Sequence, residues 1–114
     1  MNVVIDGHSL TLEQVAAVAY GQKAEVAASA IEAIEKARLY VNALIARKQP
    51  VYGITTGFGR FSDVVIGAED VGQLQLNLIR SHACGVGEPL SKPETRALML
   101  LRANALAKGH TGAR

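Results

Sequence analysis

The clearest periodic stretch runs from Lys23 to Arg47. Val26, Ala30, Ile31, Ile34, Ala37, Val41, Leu44 and Ile45 recur there at three- and four-residue steps. That spacing predicts an amphipathic helix with one apolar stripe. Gln49-Pro50 ends it, because proline steers the residue before it away from helical backbone. Glu32 and Lys36 sit one turn apart with the acid on the N-terminal side, and Arg47 and Lys48 suit the negative end of the helix dipole. These charges read as a solvated face.

Two further helices carry their own start signals. Thr11 followed three residues later by Gln14 is a capping box, and the short helix it opens should end near Tyr20-Gly21. Ser91-Lys92-Pro93-Glu94 is a second capping box, with proline in the first turn where its missing N–H costs nothing. The helix after it should end near Lys108-Gly109, with Ala97, Leu98, Leu101, Ala105 and Leu106 as its core side. Between these, Glu69 to about His82 is also helical in pattern, with Val71, Leu74, Leu78 and Ile79 on its apolar side. Val3 to Ile5 is a brief apolar run turning at Asp6-Gly7, which predicts a short strand or extended arm.

Composition agrees with a mainly α fold. Of the 114 residues 49% are apolar, yet there are only three Tyr, two Phe and no Trp, so the core is built from Ala, Leu, Val and Ile. The length suits one domain, residues 1–114. Gly109 to Arg114 reads as a connection into a next element, so the chain is expected to be a segment cut from a longer one at Arg114. A net charge of +2, dispersed along the chain, argues against nucleic acid. The single cysteine, Cys84, excludes an internal disulfide and reads as a small buried hydrophobe in a reducing compartment. The start lacks a basic region followed by an apolar run, and no stretch approaches the ~20 apolar residues of a membrane span. The expectation is a soluble, cytoplasmic protein without a membrane partner.

The stretch VYGITTGFG, Val51 to Gly59, is where chemistry concentrates. It sets Tyr52 at the mouth of a loop holding Gly53, Gly57 and Gly59, with Phe58 between the last two. Such a loop is a poor core element and a good lid. A free phenol titrates near ~10, so a tyrosine acts as a base near neutral pH only where its phenolate is stabilised. Gly57-Phe58-Gly59 and Gly85-Val86-Gly87 each lack the third glycine of a dinucleotide fingerprint. His8, His82 and His110 show no metal-ligand spacing, so no metal site is expected. From spacing alone, His82 reads as a helix-end histidine bonded to a backbone carbonyl.

Three blocks in fixed order are more specific: VYGITTGFG, then LQLNLIRSHACGVG from Leu74 to Gly87, then LRANALAKG from Leu101 to Gly109. Together they resemble the N-terminal portion of the histidine ammonia-lyases, in the aromatic amino-acid lyase and aminomutase family. The resemblance covers essentially the whole chain. It implies the helical N-terminal domain of that family, with a short extended segment and a glycine-rich loop. It also implies that Tyr52 is the mobile-loop base that removes the β-proton of an amino-acid substrate. Gly53, Gly57, Phe58 and Gly59 match the loop that closes, and His82 matches the position that contacts the substrate side chain. Ser81-His82 looks like the histidine-using members, although some tyrosine aminomutases share it.

The resemblance further implies a homotetramer with active sites assembled across subunits. It implies an electrophilic methylidene-imidazolone prosthetic group, formed from an internal Ala-Ser-Gly. No such tripeptide occurs here; Ala28-Ser29-Ala30 is the nearest approach, inside the long predicted helix. The chain alone is therefore expected to be inactive. Thr55 stands where the histidine-using members more commonly carry Asn, and Thr also occurs in tyrosine-acting relatives. A tyrosine ammonia-lyase or aminomutase parent stays open on that ground, as does a short non-catalytic protein that binds a full-length lyase or an amino acid.

Overall fold

The computed structural model describes residues 1–113. Arg114, at which the chain is expected to have been cut, lies outside them. The elements in order are β1 (Val3–Ile5), α1 (Leu12–Ala19), β2 (Ala24–Val26), α2 (Ala28–Ala46), a 3-10 turn (Gly59–Phe61), α3 (Val71–His82) and α4 (Lys92–Leu106). The mainly α architecture expected from composition and periodicity is what forms. The residues group into two compact units, Met1–Leu39 with Glu88–Arg114, and Tyr40–Gly87.

The first unit grows from its capping boxes. Thr11 N–H donates to Gln14 Oε1 at 2.9 Å while Thr11 Oγ1 accepts from the Gln14 N–H at 3.3 Å. Ser91 and Glu94 make the same reciprocal pair at the start of α4, at 2.8 and 3.4 Å. Each box satisfies N–H groups that the first helical turn leaves without partners. α1 packs on α4, and Val3, Ile5 and Leu100 form the buried centre, flanked by Leu10, Val15, Val18 and Ala103. Val4 points away at 44% exposure, the alternation of a strand with one wet face.

Two expectations are corrected here. Helix was expected from Lys23, with Val26 in its stripe, but Ala24–Val26 is a strand paired parallel to Val3–Ile5, and α2 begins at Ala28. The β1 edge supplies partners, with Val3 N–H donating to Lys23 O and Ala27 N–H to Ile5 O, both at 2.9 Å. That long-range pairing overrides a local helical preference. On α4 the expected core side was Ala97, Leu98, Leu101, Ala105 and Leu106; Ala97 and Leu106 are half-buried, whereas Leu98, Leu101 and Ala105 are exposed. Leu100, Ala103 and Ala107 turn inward instead. Residues 97–101 are all apolar and run round more than one turn, so periodicity alone does not single out the buried face, and packing on α1 and β1 chose it.

The second unit holds the end of α2, the glycine-rich segment and α3. Val41, Leu44 and Ile45 carry the α2 stripe into it, and Leu44 is buried. α3 starts at Val71 behind Asp70, two residues later than the pattern suggested, and keeps Val71, Leu74 and Leu78 half-buried. Ile79 is 67% exposed, so it does not join them.

Candidate active site

The chain between α2 and α3 is tied down by its own backbone. Ile54 N–H and Thr55 N–H both donate to Val51 O at 3.0 Å, closing one turn around Tyr52 and Gly53. Thr56 and Val65 form an antiparallel bridge, Ile66 N–H donates to Thr55 O at 2.7 Å, and Gly57 N–H donates to Val64 O at 3.3 Å. Residues 57–64 are thus a loop closed at its base. Thr56 Oγ1 donates to Gly57 O at 3.0 Å inside that closure.

Tyr52 stands on the first turn with 63% of its surface exposed. Its ring meets the Phe58 ring edge-on, with centroids 5.7 Å apart and planes at 78°. The contact depends on Gly53, whose φ is +74° and whose missing Cβ would lie 3.2 Å from Phe58 Cε1. A side chain there would be strained by its backbone and would crowd the ring that backs the tyrosine. Gly57 has an ordinary φ and is bare for another reason: a Cβ would fall 2.8 Å from Phe61 Cβ. Gly59, at φ +56°, opens the 3-10 turn. The Tyr52 hydroxyl has no hydrogen-bond partner among the described residues. The arrangement presents a phenol outward on a braced support.

His82 is the last residue of α3. Its Nδ1 lies 3.0 Å from Leu78 O and 2.9 Å from Ser81 Oγ, while Ser81 Oγ donates to Leu78 O at 2.9 Å. The geometry fits a protonated Nδ1 donating to Leu78 O, which leaves the exposed Nε2 as a bare acceptor. The histidine–carbonyl bond read from the helix-end position is therefore present, and it leaves one ring nitrogen free. No hydrogen bond joins Tyr52 to His82 among the described residues. Nor do they contain a group of three or more His, Cys, Asp or Glu able to hold a metal.

Cys84 is corrected from buried to exposed. It lies just past the end of α3, with Sγ donating to Ser81 O at 3.4 Å. Sequence reasoning also passed over what Thr55 and Thr56 do. They are 2% and 1% exposed, the most buried polar side chains described. Two adjacent hydroxyl residues between Ile54 and Gly57 were the available signal, since buried hydroxyls need partners in the backbone around them.

No helix among the described residues is long and apolar enough to cross a membrane. The family model for aromatic amino acid lyases matches residues 10–114. A histidine ammonia-lyase of Geobacillus sp. strain WCH70 is 55% identical over 113 residues, 98% of this chain and 22% of that protein. One from Chloroflexus aurantiacus is 52% identical over 116 residues, with the same coverage. The solved histidine ammonia-lyase from Trypanosoma cruzi superposes with a TM-score of 0.89 at 41% identity, over all of this chain and 22% of its own. The tyrosine aminomutase from Streptomyces globisporus gives 0.93 at 36%, again over 22% of its length. The matched region includes the glycine-rich turn bearing Tyr52 and the helix end bearing His82, and the chain belongs to the aromatic amino acid lyase family.

Proposed function

We propose that this chain is the N-terminal portion of a histidine ammonia-lyase, an enzyme that converts L-histidine to urocanate and ammonia without oxidation. Tyr52 is its base: the phenolate oxygen takes the β-proton of the substrate while the amino group leaves. His82 contacts the substrate side chain through its free Nε2. Gly53, Gly57, Phe58 and Gly59 let the loop close over the bound amino acid, excluding water and orienting the base. The observation that carries this reading is an exposed tyrosine on a braced glycine turn, in a chain 55% identical to a histidine ammonia-lyase.

The methylidene-imidazolone group does not fit the residues present. Ala-Ser-Gly is absent, and Ala28-Ser29-Ala30 opens α2, with Ala30 3% exposed. In this reading the electrophile comes from residues beyond this chain, in a cytoplasmic homotetramer, and the chain by itself has no turnover. A tyrosine-acting parent is favoured by the TM-score of 0.93 to a tyrosine aminomutase. The histidine reading is preferred, because that aminomutase is 36% identical and the histidine ammonia-lyases named above are 41% to 55% identical.

The test is made in the full-length lyase containing this segment, with histidine and tyrosine as substrates. Tyr52→Phe, which removes only the hydroxyl, should lower kcat by roughly 100-fold or more, the usual scale for a lost general base. His82→Leu should change the ratio of histidine to tyrosine turnover more than it changes thermal stability. Near-normal turnover by Tyr52→Phe removes the tyrosine from the role of base, and an unchanged ratio returns His82 to a helix-end bond alone.

A further inference from the structure

Pro50 has no N–H, so the segment entering the Tyr52 turn lacks a backbone donor at that point. The Thr55 side chain holds it instead. Its Oγ1 accepts from Val51 N–H at 2.9 Å and donates to Gln49 O, so one hydroxyl clasps the backbone on both sides of Pro50. Thr55 is in turn anchored by its own backbone, through its N–H to Val51 O and through its carbonyl, which accepts from Ile66 N–H. At 2% exposure it sits where water has little access to replace the hydroxyl. Tyr52 is the next residue along from Val51.

We propose that Thr55 is a positioning residue: its hydroxyl sets the backbone from which Tyr52 projects and so fixes where the phenol meets the substrate. This rests on the reading of Tyr52 as the base. It gives Thr55 a role in placing the base rather than in selecting between histidine and tyrosine. Losing the hydroxyl leaves Val51 N–H and Gln49 O without their partner, and the turn must shift to find others. A displacement of about 1 Å at a catalytic group can cost on the order of 100-fold in rate.

The experiment compares Thr55→Val, which keeps the shape, with Thr55→Ser, which keeps the hydroxyl, beside Tyr52→Phe in the full-length lyase. Thr55→Val should lower kcat roughly 10- to 100-fold with KM nearly unchanged, and Thr55→Ser should restore kcat to within about threefold. If Tyr52→Phe is inactive while Thr55→Val turns over normally, the positioning role is overturned and the base stands. If Tyr52→Phe itself turns over normally, the base reading has failed. Amide exchange in the 114-residue chain reads the clasp without catalysis. Val51 N–H should exchange more slowly than those of Tyr52 and Gly53, which have no partner among the described residues. Thr55→Val should speed it by about tenfold and Thr55→Ser should not. Should Thr55→Val fail to fold, exchange in the wild-type and Ser chains decides: a Val51 amide no slower than its neighbours overturns the proposal.

Discussion

Asp6 accepts from His8 N–H at 2.7 Å, Ser9 N–H at 2.8 Å and Ser9 Oγ at 2.8 Å. The Ser9 backbone bond, followed by that of His8, lowers its pKa from 3.8 to about 2. All three bonds favour the charged form, so protonation works against the turn they make. The folded value lies below the unfolded one, so this contribution to stability is fully present above about pH 4. It is lost as pH falls through about 2. An NMR titration should find Asp6 half-protonated near pH 2, and Asp6→Asn should lack that part of the acid transition; a midpoint near 4 would contradict the turn geometry. This turn was visible in the sequence as Asp6-Gly7. The clasp by Thr55 was not, although its partners lie close in sequence, because no motif assigns a hydroxyl to them. Nor was the exposure of Cys84, which depends on what packs beside the end of α3.

At the scale of elements, both capping boxes were legible because they are made by residues three apart. The start of α2 and the inner face of α4 were not, since both were settled by contacts distant in sequence. α4 offers a direct test. Leu100 is 5% exposed in the core beside Val3 and Ile5, while Leu98 is 59% exposed on the same helix. Leu100→Ala should destabilise the chain by about 2–5 kcal/mol, and Leu98→Ala by no more than ~0.5 kcal/mol. Denaturant unfolding of the two variants measures both. Equal effects would contradict the burial of Leu100 in preference to Leu98.

Taken whole, the chain leaves much apolar surface uncovered. In the first unit Leu98, Met99 and Leu101 are 52% to 66% exposed on α4, and in the second Phe61 and Ile79 are exposed by 63% and 67%. Apolar side chains exposed side by side on a helix favour association with other protein. The purified 114-residue chain should therefore self-associate as its concentration rises and show no deamination of histidine. Sedimentation velocity over a wide concentration range, with an assay for urocanate, checks both; a monomer throughout, or a measurable turnover, would refute the corresponding half. By itself the sequence determined what depends on near neighbours and on ordered motifs. These were the helical class, the two capping boxes, the glycine turn under Tyr52 and the blocks that carry the family resemblance. The tertiary structure decided the pairing of Ala24–Val26 with Val3–Ile5 and the face that α4 buries. The physical reason is one of range. Caps, turns and periodicity are satisfied within a few residues, whereas a strand edge and the choice of a buried helix face are settled by partners that only folding brings near.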